Sequence, residues 1–275
     1  MTPNPILTIC LREIKNTINN YYLLGMVLLL AILSLSLVLL GNTSFGSTGA
    51  DNLSMQITSL SSLSIFFIPL MALFLSYDSI VGESEQGSLL LMLSYPIKRY
   101  QFILGKFFAN WISLSIAIVL GYSSTLLLLS FDNNLTIKFV YASLGLISAS
   151  ILLGGIFTAI ALLVSVIVVQ RSTAIIYCIA IWLFFVIFFD MLLLITLTSK
   201  YSHIISTDML SNILLFNPID IFRIISIGEQ GNNLLPLYSL SNIVVFPQFI
   251  LTSSMLIWII APLTGAIYLL KGKDL

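Results

Sequence analysis

Six apolar runs, each long enough to cross a lipid bilayer, constrain this chain more than any other feature. A helix needs about 20 apolar residues, at about 1.5 Å each, to span a hydrocarbon core about 30 Å thick. Backbone polar groups find no water in lipid, so each run is predicted to be a helix. The runs are Leu23 to Leu40, Ile57 to Tyr77, Phe107 to Leu129, Phe139 to Val169, Thr173 to Leu197 and Phe249 to Leu270.

The composition agrees with a membrane protein and leaves no room for a soluble domain. Hydrophobic residues make up 59% of the chain and charged residues 8%, whereas soluble domains carry roughly 25% charged residues. We therefore predict an all-α integral membrane protein in which residues 1–275 form a single domain. The 11 basic residues are scattered, so no patch can follow a phosphate backbone, and we predict no nucleic-acid binding.

The distribution of Lys and Arg indicates the orientation in the membrane. Six spans place both termini on one side, and basic residues collect in cytoplasmic loops. The first run follows about twenty mixed residues, too many for a signal peptide's n-region, so we expect it to remain in the mature protein. We predict a multi-pass protein of the bacterial inner membrane with both termini cytoplasmic. The basic residues then inside are Arg12, Lys15, Lys98, Arg99, Lys106, Arg171, Lys271 and Lys273, and those outside are Lys138, Lys200 and Arg223.

The stretch from Pro5 to Tyr21 mixes apolar and polar residues in a pattern compatible with a helix lying in the membrane interface. Such an elbow would contact membrane lipid and lead into the first span. The alternative is a helix packed on the protein's own cytoplasmic face.

The segment between the second and third spans, Gly82 to Arg99, is partly charged and partly apolar. Pro96 disfavours helix at the residue before it, so a short helix from about Gly87 is predicted to stop there. Its apolar run, Leu89 to Leu93, has too many leucines for a solvated loop, and exposed apolar surface is typical of a docking site. The alternative is an ordinary loop folded back on its own bundle.

This segment resembles the coupling segment of the type-2 ABC exporter permeases, through Tyr77-Asp78, Gly82-Glu83-x-Glu85-x-Gly87-Ser88-Leu89 and Leu93-Ser94-x-Pro96-Ile97-x-Arg99. The likeness extends to Leu11-Arg12-Glu13-Ile14 and to Asn217-Pro218-Ile219-Asp220-Ile221-Phe222-Arg223. Ser84 and Ser88 stand where relatives often carry a basic residue and Thr. Within the family, the chain most resembles permeases of transporters that mature nitrous oxide reductase.

The resemblance implies a homodimer of six-helix subunits resting on separate ATPase subunits, which bind the ATP and Mg. It implies a copper- or sulfur-related cargo and a periplasmic partner protein. The alternative within the family is an exporter of lipid, peptide or drug. The expected ATPase-coupling residues are Gly82, Glu83, Glu85, Gly87, Leu89, Leu90, Met92, Pro96 and Arg99.

Catalysis is not expected in this chain. It has no phosphate-binding G-x-x-x-x-G-K-[ST] loop, so energy must come from another chain. An intramembrane enzyme would need a nucleophile and base or a metal pair, and the single histidine, His203, has no partner ligand nearby in sequence. The cysteines Cys10 and Cys178 are expected to be small buried side chains, so we predict no metal site and no cofactor bound by this chain.

The region from Thr198 to Gln248 is predicted to contain a short outer helix. Asn217 caps it, Pro218 suits its first position, and Asp220 can pair with Arg223 across one turn. By resemblance these four residues would belong to an extracytoplasmic gate that meets the periplasmic partner. The alternative is a lid packed on the bundle without a partner.

Asp190 is an ionisable residue well inside a predicted span, where an unpaired charge costs at least a few kcal/mol. It is therefore expected to face the bundle or a cavity. One interpretation places Asp190, with Met191, in the translocation path. The other has Asp190 bonding a neighbouring helix near the outer boundary. In the fourth span, Ser150, Gly154 and Thr158 recur every four residues, which predicts a face for close helix packing.

Overall fold

The computed structural model describes residues 4–42, 49–93, 97–131, 137–198, 207–227 and 246–272, which are mostly helical and contain no strand. This agrees with the predicted all-α fold. The helices are α1 Pro5–Asn19, α2 Tyr22–Asn42, α3 Gly49–Ser76, α4 Asp78–Glu85, α5 Ser88–Leu93, α6 Arg99–Phe131, α7 Ile137–Ile167, α8 Arg171–Leu183, a π-helical segment Phe184–Phe188, α9 Phe189–Thr198, α10 Thr207–Leu214, α11 Pro218–Ile227 and α12 Gln248–Gly272.

The predicted membrane spans coincide with long helices of the structure. Among the described residues, five stretches are long and apolar enough to cross a membrane alone, and α1 with the start of α2 makes a sixth as a pair bent by 64°. The bend occurs at Tyr21, which has a positive φ of 59°. The predicted elbow is therefore present. It packs along α6 with Cys10 and Thr17 buried, while Leu7 and Leu11 remain exposed on its outer face.

The fourth span, α7, forms the centre of the bundle and contacts α3, α6, α11 and α12. Within its most apolar window 78% of the residues are buried, against 17% for the fifth span. The small-residue face permits this packing. A Cβ on Gly154 would lie 2.7 Å from a methyl of Leu114, and one on Gly155 would lie 2.9 Å from Nε1 of Trp111. Both distances are too short, so the predicted role in close packing is confirmed.

The fifth span consists of α8, the π-helical segment and α9, joined end to end. The sequence predicts a single helix here, because the apolar run is uninterrupted. In a π-helix the hydrogen bonds run to the fifth residue instead of the fourth, which changes the partners of the local carbonyls. The outer segment then returns as a hairpin of α10 and α11, called here the outer hairpin, which packs through α11 on α3, α7 and α12.

Candidate functional site

The coupling segment consists of two short helices, α4 and α5, separated by a turn at Gln86 and Gly87. The start of α4 is satisfied from another span, because Oγ of Ser165 in α7 accepts hydrogen bonds from the backbone N–H groups of Ile80 and Val81 at 3.0 and 2.9 Å. Gly87 has a positive φ of 70°, a conformation that favours glycine. The short helix predicted from about Gly87 is therefore found as α5, whereas the sequence did not indicate α4.

The exposed part of the coupling segment is its polar tip, not its leucines. Leu89 is 3% exposed and joins the hydrophobic core, and Met92 is half-buried against the same core. The expectation that this helix displays its apolar side chains is wrong for Leu89, because α5 folds back on the bundle. Exposed residues run from Ser84 to Gly87, a stretch called here the inner tip. Pro96 lies outside the described residues, and the side chain of Leu90 is not described.

One side of α4 is fixed by Lys106. Its Nζ lies 2.8 Å from Oε1 of Glu83 in α4 and 3.0 Å from Oε1 of Glu13 in the elbow. Nζ also lies 5.2 Å from the ring centroid of Phe102. Lys106 is only 3% exposed, so its charge needs both carboxylates. We call Glu13, Glu83 and Lys106 the Lys106 junction. It joins the elbow, the coupling segment and the third span.

The opposite side of α4 is fixed by Arg171, the first residue of the fifth span. Its Nε forms ion pairs with Asp78 at 3.0 Å and Glu85 at 3.1 Å, and its Nη2 donates to the carbonyl of Gly82 at 3.0 Å. The backbone N–H of Arg171 donates to Oε1 of Glu85 at 2.8 Å. A Cβ on Gly82 would lie 2.3 Å from Asp78 Oδ1 and 2.9 Å from Arg171 Nη2, so a larger residue there would push these two side chains aside. We call these four residues the Arg171 junction.

Arg99 connects the coupling segment to the end of the last span. Its Nη1 donates to the backbone carbonyls of Leu270 and Lys271, the latter at 3.1 Å. A cation suits this position because the final carbonyls of a helix carry partial negative charge. Together with Glu13 in the Lys106 junction, this contact places both ends of the described chain at the same end of the bundle as the coupling segment.

A second polar cluster lies at the other end of the fifth span. Asp190 Oδ2 is 3.0 Å from Nη2 of Arg223, and Asp220 Oδ1 is 2.9 Å from its Nη1. Asn217 donates to Oδ2 of Asp220 at 2.9 Å and to the carbonyl of Phe185, in the π-helical segment, at 3.2 Å. We call this set the outer junction, because it ties the fifth span to the outer hairpin.

The predicted local chemistry of the outer helix is confirmed. Oδ1 of Asn217 accepts from the backbone N–H of Ile219 at 3.0 Å, as a cap does, and Asp220 pairs with Arg223. The partner of Asp190 is also Arg223, which is the interpretation that has Asp190 bonding a neighbouring helix. Met191 is 52% exposed, and no observation tests a role for Asp190 or Met191 in a translocation path.

The outer junction is largely shielded from solvent. Asp220 is 1% exposed and Arg223 13%, while Asp190 retains 24%. Burial raises the pKa of the Asp220 carboxyl to about 7, against the lowering effects of Arg223 and the Asn217 hydrogen bond. Because Asn217, Pro218 and Asp220 are buried, they hold the hairpin in place and offer little surface to a partner protein.

Metal binding finds no support among the residues that the structure describes. No group of three or more His, Cys, Asp or Glu side chains is arranged there to hold an ion. Cys10 and Cys178 are buried free thiols, as expected. His203 lies outside the described residues.

Lys106, Arg171 and Ser165 are the residues of the site that sequence reasoning missed. In the sequence, the two cations indicate only the orientation of the chain in the membrane. A signal was available, since each lies beside a span in a chain with 8% charged residues, and such charges normally pair. The acidic residues of Gly82 to Glu85 were the natural candidates for the carboxylates that pair with these two cations.

Comparison with known proteins assigns the family. Residues 7–275 match the model of the ABC-2 family transporter proteins. The chain is 36% identical over 223 residues to a probable ABC transporter permease protein NosY of Pseudomonas aeruginosa, covering 80% of this chain and 81% of that protein. It is 33% identical over 260 residues to a protein of the same name from Stutzerimonas stutzeri, covering 93% and 94%. The chain is therefore a multi-pass membrane permease of the ABC-2 transporter family.

Proposed function

We propose that this permease is driven by a separate ATPase subunit, which resembles NosF and docks on the inner tip of the coupling segment. The observation that carries the proposal is that α4 is tied to the elbow, the third, fourth and fifth spans, while Ser84 to Gly87 remain exposed. A segment built in this way can receive force at its tip and pass it to several helices. This chain then has no catalytic role, and ATP and Mg are bound by the partner.

Site-specific photo-crosslinking tests the docking proposal. A photoreactive residue in place of Gln86, at the inner tip, is expected to capture an ATP-binding chain in membranes. The matched control is Tyr141, which is 72% exposed at the opposite end of the bundle and is expected to capture no ATPase. Capture of the ATPase from neither position, in cells that express both chains, would refute docking at the tip.

The proposed cargo is a copper- or sulfur-related species used to assemble the metal cluster of nitrous oxide reductase. It is supported by the identities of 33% and 36% to proteins named NosY. Deleting the gene is expected to leave the reductase synthesised but inactive, and re-expression is expected to restore activity. Full reductase activity without this chain would favour the second candidate, an exporter of lipid, peptide or drug, which rests on family membership alone.

The outer hairpin is proposed to act as an extracytoplasmic gate that meets a periplasmic protein resembling NosD. Burial of Asn217 and Asp220 favours a gate held shut by its own contacts, so partner contact is assigned to the exposed Phe216, which is 71% exposed. Crosslinking from Phe216 is expected to capture the periplasmic protein. Crosslinking that yields only lipid in cells expressing that protein would refute the partner.

We further propose that two copies assemble in the bacterial inner membrane with both termini cytoplasmic. The weakly packed fifth span, 17% buried in its most apolar window, supplies a face for the second copy. A single cysteine in place of Ile195, which is 59% exposed, is expected to form a crosslinked dimer. Monomers alone at every crosslinker length would contradict this arrangement.

A further inference from the structure

We propose that the fifth span is the mechanical link between the coupling segment and the outer hairpin, and that Arg171 and Asp190 are the positioning residues that fasten its two ends. The proposal rests on the proposed docking of an ATPase at the inner tip. The two polar contacts lie at opposite ends of the fifth span, and they join it to the coupling segment at one end and to the outer hairpin at the other.

The inner end of the fifth span is held to the coupling segment by several contacts at once. Arg171 is held by two carboxylates and a carbonyl of α4, and its own backbone N–H donates to Glu85. Three of these partners, Asp78, Gly82 and Glu85, lie one turn apart on a single face of α4. The side chains of Arg171 and Asp78 are 36% and 40% exposed, so each separate ion pair is screened and weak. The geometry of several contacts at once, rather than any single one, fixes the start of the fifth span to α4.

The outer fastening uses different chemistry. Asp190 pairs with Arg223, and the carbonyl of Phe185 accepts from Asn217, so two residues of the fifth span hold the outer hairpin. The Phe185 carbonyl belongs to the π-helical segment, which ends at Phe188, two residues before Asp190. Beyond it α11 is held to the second span by a 2.7 Å hydrogen bond between Ser226 and Ser61.

The packing of the fifth span within one copy leaves it free to transmit movement. The fourth span is locked in the centre of the bundle, whereas the fifth has few buried residues in its middle. Within one copy, a span that is fastened at both ends and touches its own bundle at few points between them, such as the hydrogen bond from Trp182 to the carbonyl of Phe66, can shift with modest loss of contacts. The second copy proposed to pack on its open face would move with it. Movement of α4 is therefore expected to reach the outer hairpin through the fifth span and to loosen the contact between Ser226 and Ser61.

The experiment uses the complex of this permease with its copurifying ATPase in lipid nanodiscs. Cys10→Ser and Cys178→Ala remove the native thiols, both of which are buried. Ile225→Cys, a half-buried position next to Ser226 that packs on the core, supplies the reporter and leaves the contact between Ser226 and Ser61 intact. A water-soluble maleimide measures the reporter's reactivity with and without a nonhydrolysable ATP analogue. We expect the analogue to raise the rate by about fivefold or more, the usual scale of coupling between sites.

Arg171→Gln and Asp190→Asn are each expected to reduce that increase from about fivefold to less than about twofold, or to abolish it. Because the two residues act in series along one helix, the double variant is expected to lose no more than the stronger single variant. Arg171→Lys, which keeps the charge, is expected to restore part of the response. Lys271→Gln is the matched control, since it removes an exposed cation at the same end of the bundle, and it is expected to respond normally.

A full nucleotide response in assembled Arg171→Gln and Asp190→Asn complexes would overturn the proposal, as would losses that simply add in the double variant. If Arg171→Gln does not assemble, Glu85→Gln at the exposed edge of the same junction decides the matter. A reduced response supports the link and an unchanged one refutes it. Failure of the proposed function itself looks different, because no ATPase then copurifies even with the unsubstituted chain.

Discussion

Removal of the Lys106 cation is the perturbation whose cost follows most directly from the structure. Lys106→Met keeps the length and apolar contacts of the side chain but leaves Glu13 and Glu83 facing each other without a cation. Breaking a buried ion pair by removing one partner costs about 3–5 kcal/mol. The two carboxylates retain 22% and 17% exposure, so water screens part of the repulsion, and we expect the lower end, about 3 kcal/mol.

The assay follows thermal unfolding in detergent. Because Cys10 and Cys178 are buried free thiols, a thiol-reactive fluorophore reports their exposure as the protein melts. At roughly 2–4 °C per kcal/mol for a chain of this size, Lys106→Met is expected to lower Tm by about 6–12 °C. Lys98→Met removes an exposed lysine near the same end and is expected to shift Tm by less than about 2 °C.

A rescue variant separates the missing charge from a packing defect. Combining Lys106→Met with Glu13→Gln and Glu83→Gln removes the unpaired carboxylates, and replacing a whole buried ion cluster is often nearly neutral. Most of the lost Tm is therefore expected to return. The reasoning is refuted if Lys106→Met melts within about 2 °C of the unsubstituted protein.

Three further predictions test separate features. Gly155→Val is expected to destabilise by about 1–3 kcal/mol through overpacking against Trp111, whereas Gly145→Ala on the same helix, where a Cβ meets nothing within 4 Å, is expected to be harmless; equal effects in the melting assay would count against the packing argument. Gly87→Ala is expected to cost about 1–2 kcal/mol because of its positive φ, and no loss of Tm would contradict that strain. Burial raises the pKa of Asp220 to about 7, so the folded state holds this proton more strongly than the unfolded chain, and the resulting stabilisation is full below about pH 4 and is lost as pH rises through 7. Asp220→Asn is therefore expected to flatten the profile of Tm against pH between pH 5 and about pH 8. An unchanged slope would show that another group titrates.

The spans were predictable because placing about 20 backbone units in hydrocarbon requires about 20 consecutive apolar residues, a pattern that can be read directly in the sequence. The cap at Asn217 and the pairing of Asp220 with Arg223 were predictable for a related reason, since both contacts are local and follow helix geometry. The inner end of the fifth span was likewise placed close to where Arg171 begins α8.

Contacts between distant parts of the chain were not predictable. Lys106 and Glu13 are 93 residues apart, and Arg171 and Glu85 are 86 apart, so no periodic pattern connects them. The π-helical segment lies inside an unbroken apolar run, which looks the same whether the turn is α or π. The expectation that Leu89 is exposed failed for a different reason, because an apolar side chain beside the membrane fits a docking face and the protein's own core equally well.

Purification of the tagged permease from its native membranes, followed by a measurement of Mg-dependent ATP hydrolysis, tests the central claim most directly. The account predicts that a second, ATP-binding chain copurifies and that hydrolysis is found only in fractions containing both chains. Hydrolysis by the permease free of any companion, or a permease that functions in liposomes with no ATP-binding chain present, would contradict it.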